Sequence, residues 1–178
     1  MDMNSGSKFT QQHHRVDICI VGGGLAGVCA AIQAARHGAT VLLMQDRPVL
    51  GGNSSSEMRM HVCGADRHNR CPNLRETGVL EELRLENLYR NPQRSYSIWD
   101  TIIYEKVLYQ QGITLLLNCT CLDATMHGKS IASIRGLQLT TETYHTVEAS
   151  IFIDCSGDGV LAPLTGAALP IDFGLTAG

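Results

Sequence analysis

Glycines at the spacing G-x-G-x-x-G carry the clearest chemistry in this sequence. They are Gly22, Gly24 and Gly27, within the stretch DICIVGGGLAGVCAAIQAARHGATVLLMQD. In such a motif the first glycine permits a tight turn, the second lets a pyrophosphate approach the backbone, and the third lets a helix pack closely on a strand. Because free N–H groups at the start of that helix attract phosphates, the motif predicts a dinucleotide site. A glycine-rich turn without a ligand is the alternative, which the flanking apolar segments disfavour.

The end of the next apolar segment bears on which dinucleotide is bound. A carboxylate is expected there, where it would bond the ribose hydroxyls of the adenosine. The sequence has Gln45 followed by Asp46. Either Asp46 bonds the ribose, or Gln45 occupies the usual position and bonds it as a neutral amide. Both alternatives are open, and these two residues alone do not distinguish NAD from FAD.

Four polar residues spaced by two are the candidates for catalysis, namely Glu57, Arg59, His61 and Cys63. In an extended segment this spacing would place the four side chains on one face. Arg59 could hold an anionic group of a substrate through two parallel hydrogen bonds. His61 could exchange a proton near neutral pH. The alternative is a solvated loop with structural hydrogen bonds.

Cysteine and histidine usage argues against a metal site and against disulfides. His61, Cys63, His68 and Cys71 are of the types that bind zinc, but their spacing matches no zinc-binding pattern and a paired CxxC is missing. We therefore predict no metal. The seven cysteines are odd in number, which favours free thiols in a reducing compartment. A cytoplasmic location is expected.

The composition of the 178 residues is typical of a globular domain. Apolar residues make up 44% and charged residues 17%, so extensive disorder is not expected. The net charge of -3 predicts no nucleic-acid partner, and no apolar run is long enough to cross a membrane. Residues 1–15 are expected to be a polar tail. Residues 16–178 are expected to form one nucleotide-binding domain, truncated so that its substrate-binding and cofactor-closing part is missing.

Apolar periodicity predicts the elements that position the glycine motif. Residues 16–21 and 40–44 are apolar runs typical of strands buried on both faces. Residues 25–37, between them, have one apolar stripe at helical spacing. A strand–helix–strand unit of this kind is expected to have parallel strands.

The remaining segments extend this unit into a larger sheet. Helices are predicted over residues 75–89 and 97–111, and a third strand over 113–117. Short alternating segments in residues 119–150 predict an antiparallel meander, which leads to a further buried strand in IFIDCSGDG. The expected fold class is α/β, a Rossmann-like parallel sheet with a small antiparallel meander inserted.

The residues after the second strand resemble those of a known group of flavoproteins. In QDRPVLGGNSSSEMRMHVCGA, the strand is followed closely by Arg47 and by the pair Gly51 and Gly52. This pattern is typical of flavoproteins with two dinucleotide-binding domains, in which it lines the pyrophosphate and ribityl chain of FAD. The stretch IFIDCSGDGVLAPLTGA is similar to their strand-plus-glycine motif. Over residues 16–168 the chain most resembles FAD-dependent oxidoreductases related to fumarate reductase flavoprotein subunits and to glucose-inhibited-division-type tRNA-modification flavoproteins.

This resemblance implies FAD as the cofactor and assigns its contacts. Those in the glycine-rich turn are Gly22, Gly23, Gly24, Leu25, Ala26 and Gly27. Those after the second strand are Gln45, Asp46, Arg47, Gly51, Gly52 and Asn53. Cys121 would offer its backbone to the adenine ring, while Ser156, Gly157 and Asp158 would close over the cofactor. The family's second flavin-contacting segment is expected to lie beyond residue 178.

The expected function is that of an FAD-dependent oxidoreductase acting on a small molecule. FAD would carry a hydride to or from that substrate, with Arg59 and His61 as the catalytic residues. One alternative is an NAD(P)-dependent dehydrogenase domain, although such a domain needs neither the Gly51 and Gly52 pair nor the IDCSGDG strand. The other is a nucleotide-binding fragment without turnover.

Overall fold

The computed structural model describes residues 9–63, 65, 70–71 and 74–167, which form one six-stranded sheet with helices. The strands are β1 (Thr10–Val21), β2 (Val41–Met44), β3 (Ile113–Leu116), β4 (Cys119–His127), β5 (Ser130–Gln138) and β6 (Thr143–Asp154). Their order across the sheet is β3-β2-β1-β6-β5-β4. Strands β3, β2, β1 and β6 are parallel, whereas β4, β5 and β6 are antiparallel neighbours. The predicted α/β class is confirmed.

Three helices lie where the helical patterns predicted them, with boundaries shifted by a few residues, and a short fourth helix was not predicted. They are α1 (Leu25–Arg36), α2 (Gly78–Arg90), α3 (Tyr96–Leu108) and the short α4 (Leu161–Thr165). Single 3-10 turns occur at Gly52–Ser54 and Leu139–Thr141. No helix in the described ranges has both the length and the apolar character that crossing a bilayer requires.

Strand β1 is longer than the sequence predicted. Thr10 to Arg15 pair in parallel register with Thr143 to Glu148 of β6. The prediction of a polar tail through residue 15 is therefore wrong for these six residues, while residues 1–8 lie outside the described part. Apolar periodicity missed the extension because Thr10 to His13 are exposed and backbone pairing, rather than burial, holds them in the strand.

The last strand also departs from the prediction. The meander's final strand and the strand expected in IFIDCSGDG are one continuous element, β6, which pairs with β5 on one side and β1 on the other. The meander is thus an extension of the parallel sheet. The C-terminal half of β6 is also less buried than predicted, since Ile151 is 54% exposed.

Two apolar clusters cover the two faces of the parallel strands. On one face Ile20 and Leu43 pack with residues of α1, α2 and α3. On the other face Val21 and Met44 pack with residues of the meander, such as Ile134. Because alternate residues of β1 and β2 point to opposite clusters, both strands need a continuous apolar sequence. This packing fixes the carboxyl ends of β1 and β2, where the glycine motif begins.

A histidine pair between β1 and β6 predicts a stability that falls in acid. Nε2 of His14 lies 2.9 Å from Nδ1 of His145, and the two rings stack. Burial lowers the pKa of both from the ordinary value of 6.5, and a neighbouring histidine lowers each further. The unfolded chain therefore binds protons more readily, and the free energy of unfolding should decrease as the pH falls through 6.5.

Urea unfolding at about pH 8 and about pH 5.5 measures this effect. We expect His14→Gln to reduce the loss of stability between the two pH values. His127→Gln, a change of an exposed histidine in β4, should leave the loss unchanged. An equal loss in the His14→Gln variant and the natural protein would show that the pair does not cause it.

Candidate functional site

Three turns meet at the carboxyl edge of the parallel strands. The turn after β1 is joined to the turn after β2 by a hydrogen bond from the Gly51 N–H to the Gly23 carbonyl, at 2.8 Å. The turn after β6 is joined to β1 by a bond from the Cys155 N–H to the Val21 carbonyl, at 2.7 Å. A cleft of about 710 Å³ opens between the three turns. Ligands of open α/β sheets bind at this edge.

The glycines of the motif divide into two kinds by what surrounds them. A Cβ on Gly22, whose φ is 107°, would overlap the backbone of Cys155, and one on Gly27 would overlap the carbonyl of Gly22. These two glycines serve close packing. At Gly24 an added Cβ would meet no atom within 4 Å. Gly24 therefore leaves space on the cleft side, where a backbone-contacting ligand would lie.

The start of α1 fits an anionic group. The helix has no side-chain cap and no acidic residue in its first turn. Its N-terminal N–H groups and dipole are thus left for a ligand. Gly52 lies against this point, since a Cβ on Gly52 would be 3.1 Å from the Cα of Gly24. The two glycine sequences form one wall that suits the close approach of a pyrophosphate, so the residues present fit a dinucleotide.

The side chain of Gln45 makes its hydrogen bonds inside the protein. Its side chain is only 5% exposed, and its Oε1 accepts a hydrogen bond from the Gly23 N–H at 2.6 Å. Its Nε2 donates to the Val49 carbonyl at 3.3 Å. The amide thus joins the glycine-rich turn to the loop after β2. Both polar atoms of Gln45 have internal partners.

Asp46 and Arg47 follow Gln45 and are exposed at the cleft. Nη1 of Arg47 lies 3.7 Å from Oε2 of Glu57, a long ion pair between largely solvated groups. Such a pair is weak, and a ligand phosphate can compete for the guanidinium. Asp46 is the carboxylate that the geometry leaves available at the end of β2.

Most of the predicted cofactor residues line the cleft. Those of the turn after β1 are Gly22, Gly24, Leu25 and Ala26. Those after β2 are Gln45, Asp46, Arg47, Gly51, Gly52 and Asn53, and those after β6 are Ser156, Gly157 and Asp158. Gly23 and Gly27 do not line it, because they are buried beneath the turn. Glu57, predicted as a catalytic candidate, also lines the cleft, whereas the sequence missed Ser54, Met58 and Met60 of the loop after β2.

Cys121 lies beside the cleft rather than in it. It lines a cavity of about 80 Å³ together with Asp46, Thr120 and Asp158. Burial, with smaller contributions from Asp123 and Asp154, raises the pKa of the Cys121 thiol to about 11. The thiol is therefore protonated and unreactive near neutral pH. At this position the backbone of Cys121, in β4, could contact a ligand at the side of the cleft.

Asp154, which sequence reasoning missed, holds the turn after β6. Its Oδ1 accepts hydrogen bonds from the N–H and hydroxyl of Ser156 at 3.0 and 2.6 Å. Its Oδ2 accepts from the Leu161 N–H at 2.8 Å. Burial favours a higher pKa for Asp154, but these bonds outweigh it and the pKa is lowered. An acidic residue one position before Cys-Ser-Gly at a strand end was the available signal.

The catalytic candidates do not share one face. Arg59 has a φ of 58°, so the segment is not uniformly extended and the predicted alternation is wrong. The Nε of Arg59 donates to the Ser56 carbonyl at 3.1 Å, and Arg59 does not line the cleft. His61 and Cys63 do line it, and both are exposed. Of the two predicted catalytic residues, His61 therefore lines the cleft and Arg59 does not.

A metal centre has no support within the described ranges. They contain no group of three His, Cys, Asp or Glu side chains placed to share an ion. His68 lies outside these ranges, so the His61, Cys63, His68 and Cys71 combination is not described as a whole.

Comparison with known proteins gives a family match and a shared fold. A family model described as FAD dependent oxidoreductase matches residues 17–173. The fumarate reductase (cytochrome) of Shewanella frigidimarina is 50% identical over 42 residues, which are 24% of this chain and 7% of that protein. The alignment thus covers far less than two thirds of that relative.

Two solved structures show the shared fold. A flavoprotein/dehydrogenase from Cytophaga hutchinsonii is similar with a TM-score of 0.58 and 17% identity, covering 90% of this chain and 44% of that one. The quinol fumarate reductase of E. coli is similar with a TM-score of 0.54 and 16% identity, covering 81% and 33%. At these identities the likeness concerns the fold.

The buried amide of Gln45 predicts a stability effect that does not depend on any ligand. Gln45→Leu keeps the volume but leaves the Gly23 N–H and the Val49 carbonyl without their partner. We expect the free energy of unfolding to fall by about 1–3 kcal/mol in urea unfolding. Gln93→Leu, at an exposed position between α2 and α3, is the matched control and should change stability by less than about 0.5 kcal/mol. Equal stability of the two variants would refute the structural role.

Proposed function

The chain belongs to the FAD-dependent oxidoreductase family, and on this premise we propose that it binds FAD in the cleft at the carboxyl edge of the sheet. The observation that supports this most is the wall formed by the two glycine sequences. The open Gly24 position, the uncapped start of α1 and the adjacent Gly52 lie together there. A plain mononucleotide or NAD site has no need of the second glycine pair.

Each turn would contact a different part of the cofactor. We assign the pyrophosphate to the start of α1, from Gly24 to Ala26, with Arg47 as a cationic neighbour. Asp46 would bond the adenosine ribose, because the side chain of Gln45 is occupied internally. The backbone of Cys121 would lie along the adenine.

The remaining cleft residues would hold the flavin half. Gly51, Gly52 and Asn53 are assigned to the ribityl chain, because they line the same cleft beside the start of α1. Ser156, Gly157 and Asp158 would cover the cofactor from the opposite side, in the turn that Asp154 holds. Gly22, Gly23 and Gly27 support this arrangement from beneath and make the turn possible.

The activity we propose is hydride exchange between FAD and a small molecule. When bound, FAD supplies the hydride carrier. His61 is the proposed proton donor or acceptor, because it is exposed and lines the cleft. Arg59 is not assigned a catalytic role, because its guanidinium is turned onto Ser56. We also propose a cytoplasmic location, which the seven free cysteines support.

A single methyl group at Gly24 tests the cofactor site. Gly24 has a φ of -64°, which alanine adopts freely, and its Cβ would meet no protein atom. We expect Gly24→Ala to keep the stability of the natural protein and to weaken FAD binding by about tenfold or more, because the methyl fills the approach of the pyrophosphate. Equilibrium dialysis with FAD, and with NAD in parallel, measures the affinities.

Two control variants make this result specific. Ala132→Val adds methyl groups on exposed β5 and should bind FAD normally. Gly27→Ala should instead destabilise the fold, since its Cβ overlaps the Gly22 carbonyl. Unchanged FAD affinity in Gly24→Ala would contradict the assigned site. Tight binding of NAD without binding of FAD would replace the flavin proposal with the dehydrogenase alternative.

A second prediction separates Asp46 from Gln45. Asp46→Asn removes an exposed carboxylate without an internal partner at the cleft, so the free energy of unfolding should stay within about 0.5 kcal/mol. FAD affinity should fall by about tenfold, the loss expected for a charge-assisted bond to the ribose. Equilibrium dialysis and urea unfolding give the two quantities. The assignment fails if FAD affinity is retained in Asp46→Asn.

A further inference from the structure

A second cleft, of about 660 Å³, lies next to the proposed cofactor cleft. Ser54, Met60, His61 and Val62 line both clefts and form the wall between them. The far side is formed by the end of α2, the start of α3 and the loop that joins them. Its volume lies within the range of about 300–1,000 Å³ typical of small-molecule sites.

The charged side chains that line this second cleft are cationic among the described residues. They are Arg84 and Arg94, and no carboxylate of the described ranges lines it. Within the described part of the chain, neither guanidinium has a hydrogen-bond or ion-pair partner. Neighbouring Arg90, by contrast, lies 2.8 Å from Glu86 and 2.7 Å from Glu105. Two arginines at one cavity, without a partner among the described residues and in a chain of net charge -3, indicate an anionic ligand.

The loop that carries Arg94 is held in place by a buried amide. Asn91 is 4% exposed, and its Nδ2 donates to the Ser95 carbonyl at 2.7 Å and to Asn87 Oδ1 at 2.9 Å. Its Oδ1 accepts from the Ser95 N–H at 2.8 Å. Arg94 itself has a φ of 55°, an uncommon backbone conformation for this residue type. The backbone position of Arg94 is therefore set by the fold.

The apolar part of the cleft is aromatic and rigid. Nε1 of Trp99 donates to Oγ of Ser54 at 3.2 Å, and the hydroxyl of Tyr96 donates to the carbonyl of Arg59 at 2.7 Å. These bonds satisfy the polar ends of both rings and tie α3 to the wall between the clefts. Trp99 is only 6% exposed and offers the cleft a small part of its ring, whereas Tyr96 is half-buried and offers a larger apolar surface to a ligand body.

We propose that the second cleft binds the substrate, and that this substrate is a carboxylate with an apolar or aromatic body. The carboxylate pairs with Arg84 and Arg94, the body packs mainly on Tyr96 and touches the small exposed part of Trp99, and the rest of the molecule reaches His61 at the wall shared with the cofactor cleft. This inference rests on the proposed function, because it names the substrate class of the same flavin site.

The chain contains a single tryptophan, Trp99, so its fluorescence reports directly on this cleft. The probe is phenylacetate, titrated into the protein without added FAD, and phenylacetamide is the neutral control of the same shape. We expect phenylacetate to cause a saturable change in the fluorescence, and phenylacetamide to bind at least about tenfold more weakly. A saturable response to both probes with equal affinity would overturn the proposal, as would no response to phenylacetate.

Variants of the two arginines complete the test. Arg84→Gln and Arg94→Gln should each weaken phenylacetate binding by about tenfold, since each removes one charge-assisted contact. Arg15→Gln, which removes an exposed arginine of β1, is the matched control and should have no effect. Unchanged binding in both cleft variants would overturn the proposal.

FAD affinity, measured by dialysis on the same variants, keeps the two proposals apart. Arg84 and Arg94 do not line the cofactor cleft, so both variants should bind FAD like the natural protein. Normal FAD binding without arginine-dependent phenylacetate binding overturns only the substrate class. Arginine-dependent phenylacetate binding without FAD binding overturns the proposed cofactor and leaves an anion cleft of another function.

Discussion

The close meeting of three backbone turns at the end of β1 is the constraint on which the rest of the site depends. There the turn after β1 contacts the turn after β6 so closely that no side chain fits at Gly22, and α1 starts so close to it that none fits at Gly27. Hydrogen bonds from Gly51 and Cys155 join the other two turns to it. Because these contacts are between backbones, they require glycine and leave the N–H groups of α1 aimed into the cleft.

The buried amide of Gln45 joins these turns to the loop at the end of β2. Gln45 accepts a hydrogen bond from one turn and donates one to the next, which requires a side chain with both kinds of polar atom. A carboxylate could accept the first bond but could not donate the second. The amide at this position therefore stabilises the loop, and the neighbouring Asp46 keeps a carboxylate at the cleft. Gln45 thus has a structural role, while Asp46 is exposed at the cleft.

The short segment around His61 links the two clefts. Met60, His61 and Val62 line both, and Trp99 and Tyr96 hydrogen-bond to Ser54 and Arg59, which precede this segment. The two clefts differ in charge, since Asp46, Glu57 and Asp158 line the first, whereas no carboxylate in the described part of the chain lines the second. This arrangement places a mixed-charge groove suited to a dinucleotide beside a cationic pocket, with one titratable side chain between them.

The sequence by itself determined the α/β class, the parallel strand–helix–strand unit and the glycine contacts, because these depend on local periodicity and on residues adjacent in the chain. It did not determine the start of β1 at Thr10 or the continuity of β6, because pairing between distant strands, not side-chain burial, holds these residues. Only the tertiary structure shows that the side chain of Gln45 is held inside the protein, since this depends on which side chain meets the Gly23 N–H. It also showed that Arg59, which has a left-handed backbone, does not line the cleft that His61 lines. It placed Arg84 and Arg94 at a common cleft. Such relations depend on backbone conformation and on contacts between segments, which residue spacing does not encode.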